Sequence, residues 1–401
     1  MNKLYRPILC GALLLIARHS TLAQVPPLNC VANAPAPPTV RAEGRAELVS
    51  DIVITCTGGN PAVKAAINIT VTLNTNVTSN LTGPGPDETE ALVLIDEPMP
   101  APALNMANGF AFVGQVKGTP SVIPSGNVFT GLRTASPNQL LFPGIPIVPP
   151  GVGHRIFRIT NVRAVPPPPG PAGGSPILAA LSISGPISVP LISPVVTVGF
   201  TANGLSFTHA PMGSNQVLKF SELFPSAFKK RIENGGGPLV AVKQNHPGVL
   251  HCTESGFNPD FTPVTPAATG SANTGTRLVT RITGIPFFIS SVIVPTNVPS
   301  GQITAAVVPP PNPSPYATGI PLIAPGTTAI PVSGGAATIV YEVVAAAPYA
   351  GINGCGVLNA FSMTVQPWPF GSLAAATVTG FFGPQDPTPI ISAPSPEPRF
   401  K

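Results

Sequence analysis

The sequence predicts a mainly β protein, built as tandem antiparallel β-sandwich (immunoglobulin-like) domains with long Pro/Gly-rich loops. Three observations lead there. The chain is apolar, with 43% hydrophobic and only 9% charged residues, so it must bury Val, Ile, Leu and Phe rather than stay disordered. Its 55 Pro and 40 Gly interrupt it too often for long helices, because Pro costs about 3 kcal/mol in a helix interior. Its clearest periodic segments alternate apolar and polar residues, the signature of half-buried strands.

The strongest alternation lies at 65–74, where Ile67, Ile69, Val71 and Leu73 interleave with Asn68, Thr70, Thr72 and Asn74. β-Branched side chains favour the pleated surface over a helix. Ile52, Ile54 and Cys56 alternate likewise within 48–57, and Thr57-Gly58-Gly59-Asn60-Pro61 breaks the chain between the two runs, which are therefore expected to be adjacent strands. Further strands are expected at 110–116, 128–134, 155–163, 177–184 and 194–201. In the second half they are expected at 205–209, 215–220, 277–283, 287–294, 301–308, 336–345, 358–365 and 374–381. One helix is predicted over 221–232, with Ser221 as cap, Pro225 in its first turn, and Phe224 and Phe228 four residues apart on one face. The Pro/Gly-dominated stretch 165–176 reads as a long loop inside the first domain. The expected organisation is a signal peptide at 1–23, a Pro-rich lead-in at 24–38, sandwich domains at 39–201 and 202–383, and a mobile tail at 384–401 with six prolines.

Lys3 and Arg6, the apolar run 7–17 and the small-residue site Thr21-Leu22-Ala23 form an export signal. That apolar run is shorter than the roughly 20 residues a membrane helix needs, so no membrane span is expected after cleavage. Loss of Cys10 with the signal leaves Cys30, Cys56, Cys252 and Cys355, an even set that reads as disulfides in an exported chain. Three pairings are possible; confining each bridge to one half favours Cys30–Cys56 and Cys252–Cys355. The close paired spacings of a four-Cys zinc site do not occur.

Cleavage also removes Lys3, Arg6 and Arg18. Lys+Arg then falls from 20 to 17 against 15 Asp+Glu, leaving a net charge of about +2. Nucleic-acid binding, which needs a concentrated basic face, is not expected. The single basic run, Lys229-Lys230-Arg231, reads as a solvated surface cluster.

Chemistry-bearing motifs are sparse. No G-x-S-x-G nucleophile elbow occurs. His154 and His209 stand alone. His246, His251 and Glu254 make the one cluster of metal-ligand type, but its spacing is not H-x-x-x-H and the adjacent Cys252 serves better in a disulfide. It is a weak candidate, and no catalytic residue, metal or cofactor is assigned. Asp87, Glu88, Glu90, Asp96 and Glu97 form an acidic stretch without a calcium-loop pattern, and read as a solvated turn. Asn68, Asn76 and Asn80 each begin an N-x-T sequon. One Trp, Trp368, and four Tyr are few for a sugar-binding surface.

Three segments carry a resemblance: VRAEGRAELVSDIVITCTGG at 40–59, FSELFPSAFKKR at 220–231 and IPVSGGAATIVYEVV at 330–344. They resemble strings that recur in this order in large uncharacterised exported proteins of soil bacteria, particularly acidobacteria. The resemblance implies a bacterial, exported, β-rich protein and brings no functional residues with it.

The function expected is that of a secreted or cell-envelope protein, structural or adhesive and without catalytic activity. Its partner would be an extracellular or cell-surface protein or glycan, met through exposed loops. An extracellular hydrolase with a loop-built site, and a carbohydrate- or ligand-binding module, are the alternatives.

Overall fold

A computed structural model of the chain describes residues 26–79, 87–96, 128–170, 174–229, 275–301, 303–309, 321–345 and 357–383. They form strands and connections, with no helix among them. Sheet membership changes between Ala202 and Leu205, which divides the chain into a first and a second half.

The first half contributes β1 (Asn29–Asn33), β2 (Thr39–Arg41), β3 (Glu47–Leu48), β4 (Ile52–Gly58), β5 (Ala65–Leu73), β6 (Glu88–Ile95) and β7 (Val128–Arg133). It continues with β8 (Gln139–Ile147), β9 (Gly151–Thr160), β10 (Arg163–Ala164), β11 (Pro176–Ser184), β12 (Leu191–Ile192) and β13 (Val195–Ala202). Eleven of these make one continuous sheet in the order β12-β1-β4-β9-β6-β7-β8-β5-β11-β13-β2, and β10 pairs with β3 beside it. Strand twist accumulates across so wide a sheet, and it curls as a half-barrel around one core. This half is thus a single curled sheet, not two facing ones. Its edge strands β12 and β2 have two and three residues, short edges that offer little to a stray strand.

The alternation read from sequence is the alternation of burial. Ile67, Ile69, Val71 and Leu73 face the core of the half-barrel while Asn68 and Asn74 face solvent. Ile52, Ile54 and Cys56 do the same in β4. The two strands are not neighbours, however. β4 lies between β1 and β9, and β5 between β8 and β11. The Pro-rich lead-in contains β1, which places Cys30 directly opposite Cys56 of β4, and the two form a disulfide.

The two longest strands that escaped the sequence pattern in this half are β6 and β8. β8 (QLLFPGIPI) keeps its place despite two prolines because the β5 pairing shifts register there, and the Asn68 side-chain oxygen accepts the Gly144 N–H that the ladder leaves over. β6 holds the acidic stretch expected to be a solvated turn. It is an interior strand, and Glu90 reaches Arg163 at 2.8 Å in a largely buried ion pair.

The second half contributes β14 (Leu205–Met212), β15 (Asn215–Glu222), β16 (Arg277–Thr283), β17 (Ser291–Pro295) and β18 (Asn297–Ser300). It ends with β19 (Ile303–Val307), β20 (Thr327–Pro331), β21 (Ala336–Ala345), β22 (Ala360–Trp368) and β23 (Thr377–Gly383). Two five-stranded sheets result, β14-β15-β22-β17-β20 and β18-β19-β21-β16-β23, antiparallel at each pairing. Leu218, Phe220, Phe361 and Val365 of one sheet and Leu278, Ile339, Tyr341 and Phe382 of the other share one core. Burial pushes the Tyr341 phenol far above its ordinary range, and its hydroxyl donates to the Pro295 carbonyl at 2.7 Å.

The predicted helix at 221–232 is not present over its described residues. Ser221 and Glu222 finish β15, and a turn follows in which Ala227 N–H donates to the Phe224 carbonyl. Glu222 folds back to accept the Phe228 N–H at 2.6 Å, and Phe228 fills the core against Phe361 and Phe382. A buried carboxylate that holds the backbone in a turn overrides a short helix's propensity. The segment 230–232 lies outside the described residues, as do the signal expected at 1–23, the strand expected at 110–116, the tail expected at 384–401, and Cys252, Cys355, His246, His251, Glu254, Asn80 and Glu97.

Candidate functional site

Register gives the second half two distinct ends. Glu222, Arg277 and Glu342 lie at one, beside the first half; Met212, Thr283, Ala336 and Trp368 lie at the other. The near end concentrates buried charges, and the far end concentrates exposed aromatic rings.

At the near end, charges are buried. The chain turns sharply after β2, with Gly44 N–H donating to the Arg41 carbonyl, and β3 returns Glu47 to the same spot. A Cβ on Gly44 would stand 2.5 Å from the Glu47 side chain, so only glycine lets the two limbs close. Arg41 donates to Glu47 through Nε and Nη2, to the Ala227 carbonyl at 3.2 Å and to Thr276 Oγ1 at 3.1 Å, and lies over the Phe382 ring. Lys229 Nζ donates to the other Glu47 oxygen at 2.9 Å. Lys229 is therefore not part of a solvated basic cluster: it is buried, and its backbone and Thr276 exchange hydrogen bonds at 2.8 and 2.9 Å.

Around this centre, Glu43 accepts the Gly204 N–H where the chain passes between halves. Glu222 accepts N–H donors from Phe228 and twice from Asn359. Glu342 accepts the Gly275 N–H at 2.8 Å and faces Arg277 at 3.2 Å. Burial raises the Glu222 carboxyl above its ordinary range, opposed by its N–H donors and by Arg41. Arg41, Glu47, Glu222, Lys229, Arg277 and Glu342 are each less than a tenth exposed, so they bind one another and the backbone rather than a solute. A buried ion network adds little net stability over apolar packing, but it is satisfied in only one placement of the two halves. The three segments singled out in the sequence meet here: Arg41 and Glu47 from the first, Glu222 and Lys229 from the second, Glu342 from the third.

At the far end, apolar side chains are exposed. The hairpin tip 212–215, the loop 284–290, the turn 332–335 and the loop 369–376 lie together. They are tied by Ser290 N–H to the Trp368 carbonyl at 3.0 Å, Ile285 N–H to the Gly335 carbonyl at 2.9 Å, Leu373 N–H to the Ser214 carbonyl at 2.8 Å, and the Gln216 amide to the Leu373 carbonyl at 2.9 Å. Phe287 is 96% exposed, Phe370 66%, Trp368 56%, Met212 53% and Phe288 42%. Phe288 stacks on Phe370 with centroids 5.8 Å apart, and Phe287 stands edge-on to Phe288. Gly371 admits this stack: at its φ of 122° a Cβ would come within 2.7 Å of the Phe288 ring. Phe287 and Phe288 were expected to open a strand; β17 begins only at Ser291, and both rings sit on a loop.

Among the described residues, no group of three or more His, Cys, Asp or Glu side chains is placed to hold a metal, and no helix is long and apolar enough to cross a membrane. His154 is exposed on β9, and His209 stacks beside Phe207 on β14. Asp96 of the acidic stretch pairs with Arg155 at 3.0 Å. No protein-family model matches the chain, and no curated protein matches it either. Geometry therefore carries the functional reading, and the far end is its centre: nothing in the sequence distinguished Phe287, Phe288 and Phe370 from core residues, whereas Trp368 stood out by being alone.

Proposed function

We propose that this is an exported, non-catalytic protein of the cell envelope or extracellular space, structural or adhesive in role, which meets its partner through the aromatic end of its second half. The observation that carries this reading is the set of large apolar side chains exposed at that end, with Phe287, Phe288 and Phe370 in contact, on loops pinned by hydrogen bonds. Apolar surface of this kind on a folded protein marks an interaction site. The buried ionic joint supports the same reading, since an adhesive protein needs its contact surface held at a fixed distance and angle from its other half. The leader-like residues 1–23 and the Cys30–Cys56 bridge accord with export to an oxidising compartment. Division into domains at 39–201 and 202–383, an immunoglobulin-like fold for the sandwich of the second, and kinship with exported proteins of soil bacteria belong to this proposal.

The test is adhesion of the purified chain to cells of its host. Wild type is expected to bind, and Phe287→Ser/Phe370→Ser to release. Turnover of any substrate in a broad hydrolase panel would overturn the non-catalytic reading. A carbohydrate-binding role is the second reading, favoured by one observation: Trp368 lies on the surface, where a sugar ring could stack on it. A glycan array with no hits removes it.

A further inference from the structure

Resting on the adhesive reading above, we infer that the partner of the aromatic end is a lipid bilayer with anionic headgroups, entered by the 284–290 and 369–376 loops without being spanned. Shape is the first argument. Phe287 projects with almost its whole ring in solvent, and Phe288 and Phe370 spend their facing surfaces on each other. The result is a convex wedge. A folded protein would need a matching pocket for it, and a sugar would need an open flat ring flanked by polar side chains, whereas a bilayer accommodates any convex apolar tip.

Charge is the second. The four loops of this end contain no Asp, Glu, Lys or Arg; their polar side chains are Ser and Asn. Trp and Phe without charge are the composition of segments that settle at the water–lipid boundary. The charges of the described second half are six. Glu222, Lys229, Arg277 and Glu342 are buried at the far-off joint, and the two that face solvent, Lys219 and Arg281, are both cationic. Arg281 precedes Gly284 by three residues on β16, which runs toward the loops, and Lys219 follows the 212–215 tip by four on β15, which runs away from it. At about 3.3 Å per residue both stand roughly 10–13 Å behind the points where these loops leave their strands. An apolar face sinks about 5–10 Å into the headgroup boundary, so these cations arrive at the level of lipid phosphates.

The chain has a single Trp, and it sits at this end, so its fluorescence reports contact directly. The exported full chain is mixed with phosphatidylcholine vesicles with and without phosphatidylglycerol. Expected are cosedimentation and a blue-shifted Trp368 emission, both stronger with the anionic lipid. Phe287→Ser/Phe370→Ser should weaken partitioning at least about tenfold, the effect of withdrawing one to two buried aromatic side chains. Lys219→Glu/Arg281→Glu should abolish the preference for phosphatidylglycerol, with the same thermal melt as wild type. Binding to host cells with no Trp368 shift on any vesicle overturns the lipid assignment and leaves the adhesive reading standing. A glycan-array signal lost in the double Phe variant, or a vesicle-free dimer dissociated by it, overturns it in favour of a sugar or a second copy. Wild type that binds neither cells nor vesicles overturns both readings.

Discussion

The two ends of the second half are made of opposite materials. Where it meets the first half, Arg41, Glu47, Lys229 and Glu222 are withdrawn from water; where it ends, Phe287, Phe370 and Trp368 are held out in it. Both arrangements run against the transfer free energies that built the core between them. The joint offsets the cost of desolvation by giving Arg41, Glu47 and Lys229 partners of opposite charge and Glu222 three N–H donors, which rewards one geometry. Among the described residues the tip has no such compensation, and that is the physical reason to look for a partner for it. A violation satisfied internally reads as architecture, and one left open reads as a surface for contact.

The largest effect should come from the joint. Glu47→Ala removes the carboxylate shared by Arg41 and Lys229, and the cost expected is about 3–5 kcal/mol in urea unfolding monitored by far-UV circular dichroism. Replacing the triad together, as Arg41→Met/Glu47→Leu/Lys229→Met, should restore most of that stability. A Glu47→Ala cost below about 1 kcal/mol would break the comparison, because the joint would then be an ordinary surface.

Glu222→Gln comes next, at about 1–3 kcal/mol, because one amide end must face N–H donors that now meet a carboxylate. Its pH dependence has a definite sign. The Glu222 carboxyl lies above its ordinary value of 4.5 in the folded chain, so folding favours its protonated form. The stability it contributes is complete below the unfolded value and is lost as pH rises through the folded one. The advantage of wild type over Glu222→Gln should therefore shrink as pH rises above the ordinary value of 4.5 in parallel thermal melts. An advantage that grows over that range would show the N–H donors and Arg41 outweighing burial.

How much of this was legible depends on how far apart the cooperating residues lie. Alternation at 65–73 and 52–58 needs only neighbours, and both strands stand where the pattern puts them. β8 failed the pattern because its prolines sit beside a bulge, a feature of the pairing with Asn68 and not of its own residues. The helix expected at 221–232 failed because Glu222 answers to Asn359, 137 residues away, more strongly than the segment answers to its own propensity. Lys229 looked like surface for the same reason: its carboxylate, Glu47, is 182 residues distant. The far end was hidden differently. Phe287 and Phe288 beside Ile289 are indistinguishable in sequence from the start of a core strand, and only the turn closed by Ile289 N–H on the Pro286 carbonyl puts the rings outside.

At the tip, neutral hydrogen bonds do what charges do at the joint. Gln216 is buried, and its amide donates to the Leu373 carbonyl, pinning the 369–376 loop. Gln216→Ala should cost about 1 kcal/mol and raise amide exchange in that loop without changing exchange near Arg41. Equal loosening at both ends would mean that they are not independent.

The smallest effect is the sharpest test of the contrast. Phe287 is 96% exposed, and within the fold it meets Phe288 edge-on at 5.5 Å. Its ring stays almost fully hydrated on folding, so Phe287→Ser should alter unfolding free energy by no more than about 0.5 kcal/mol. The same substitution should raise solubility and lower adhesion, because none of the described residues desolvates the ring and a partner that covers it would. A residue that contributes nothing to the fold yet is needed for contact is what the open violation at this end requires. Were Phe287→Ser instead to destabilise the chain as much as Gln216→Ala, the ring would be part of the loop's own packing, and the two ends would differ only in polarity.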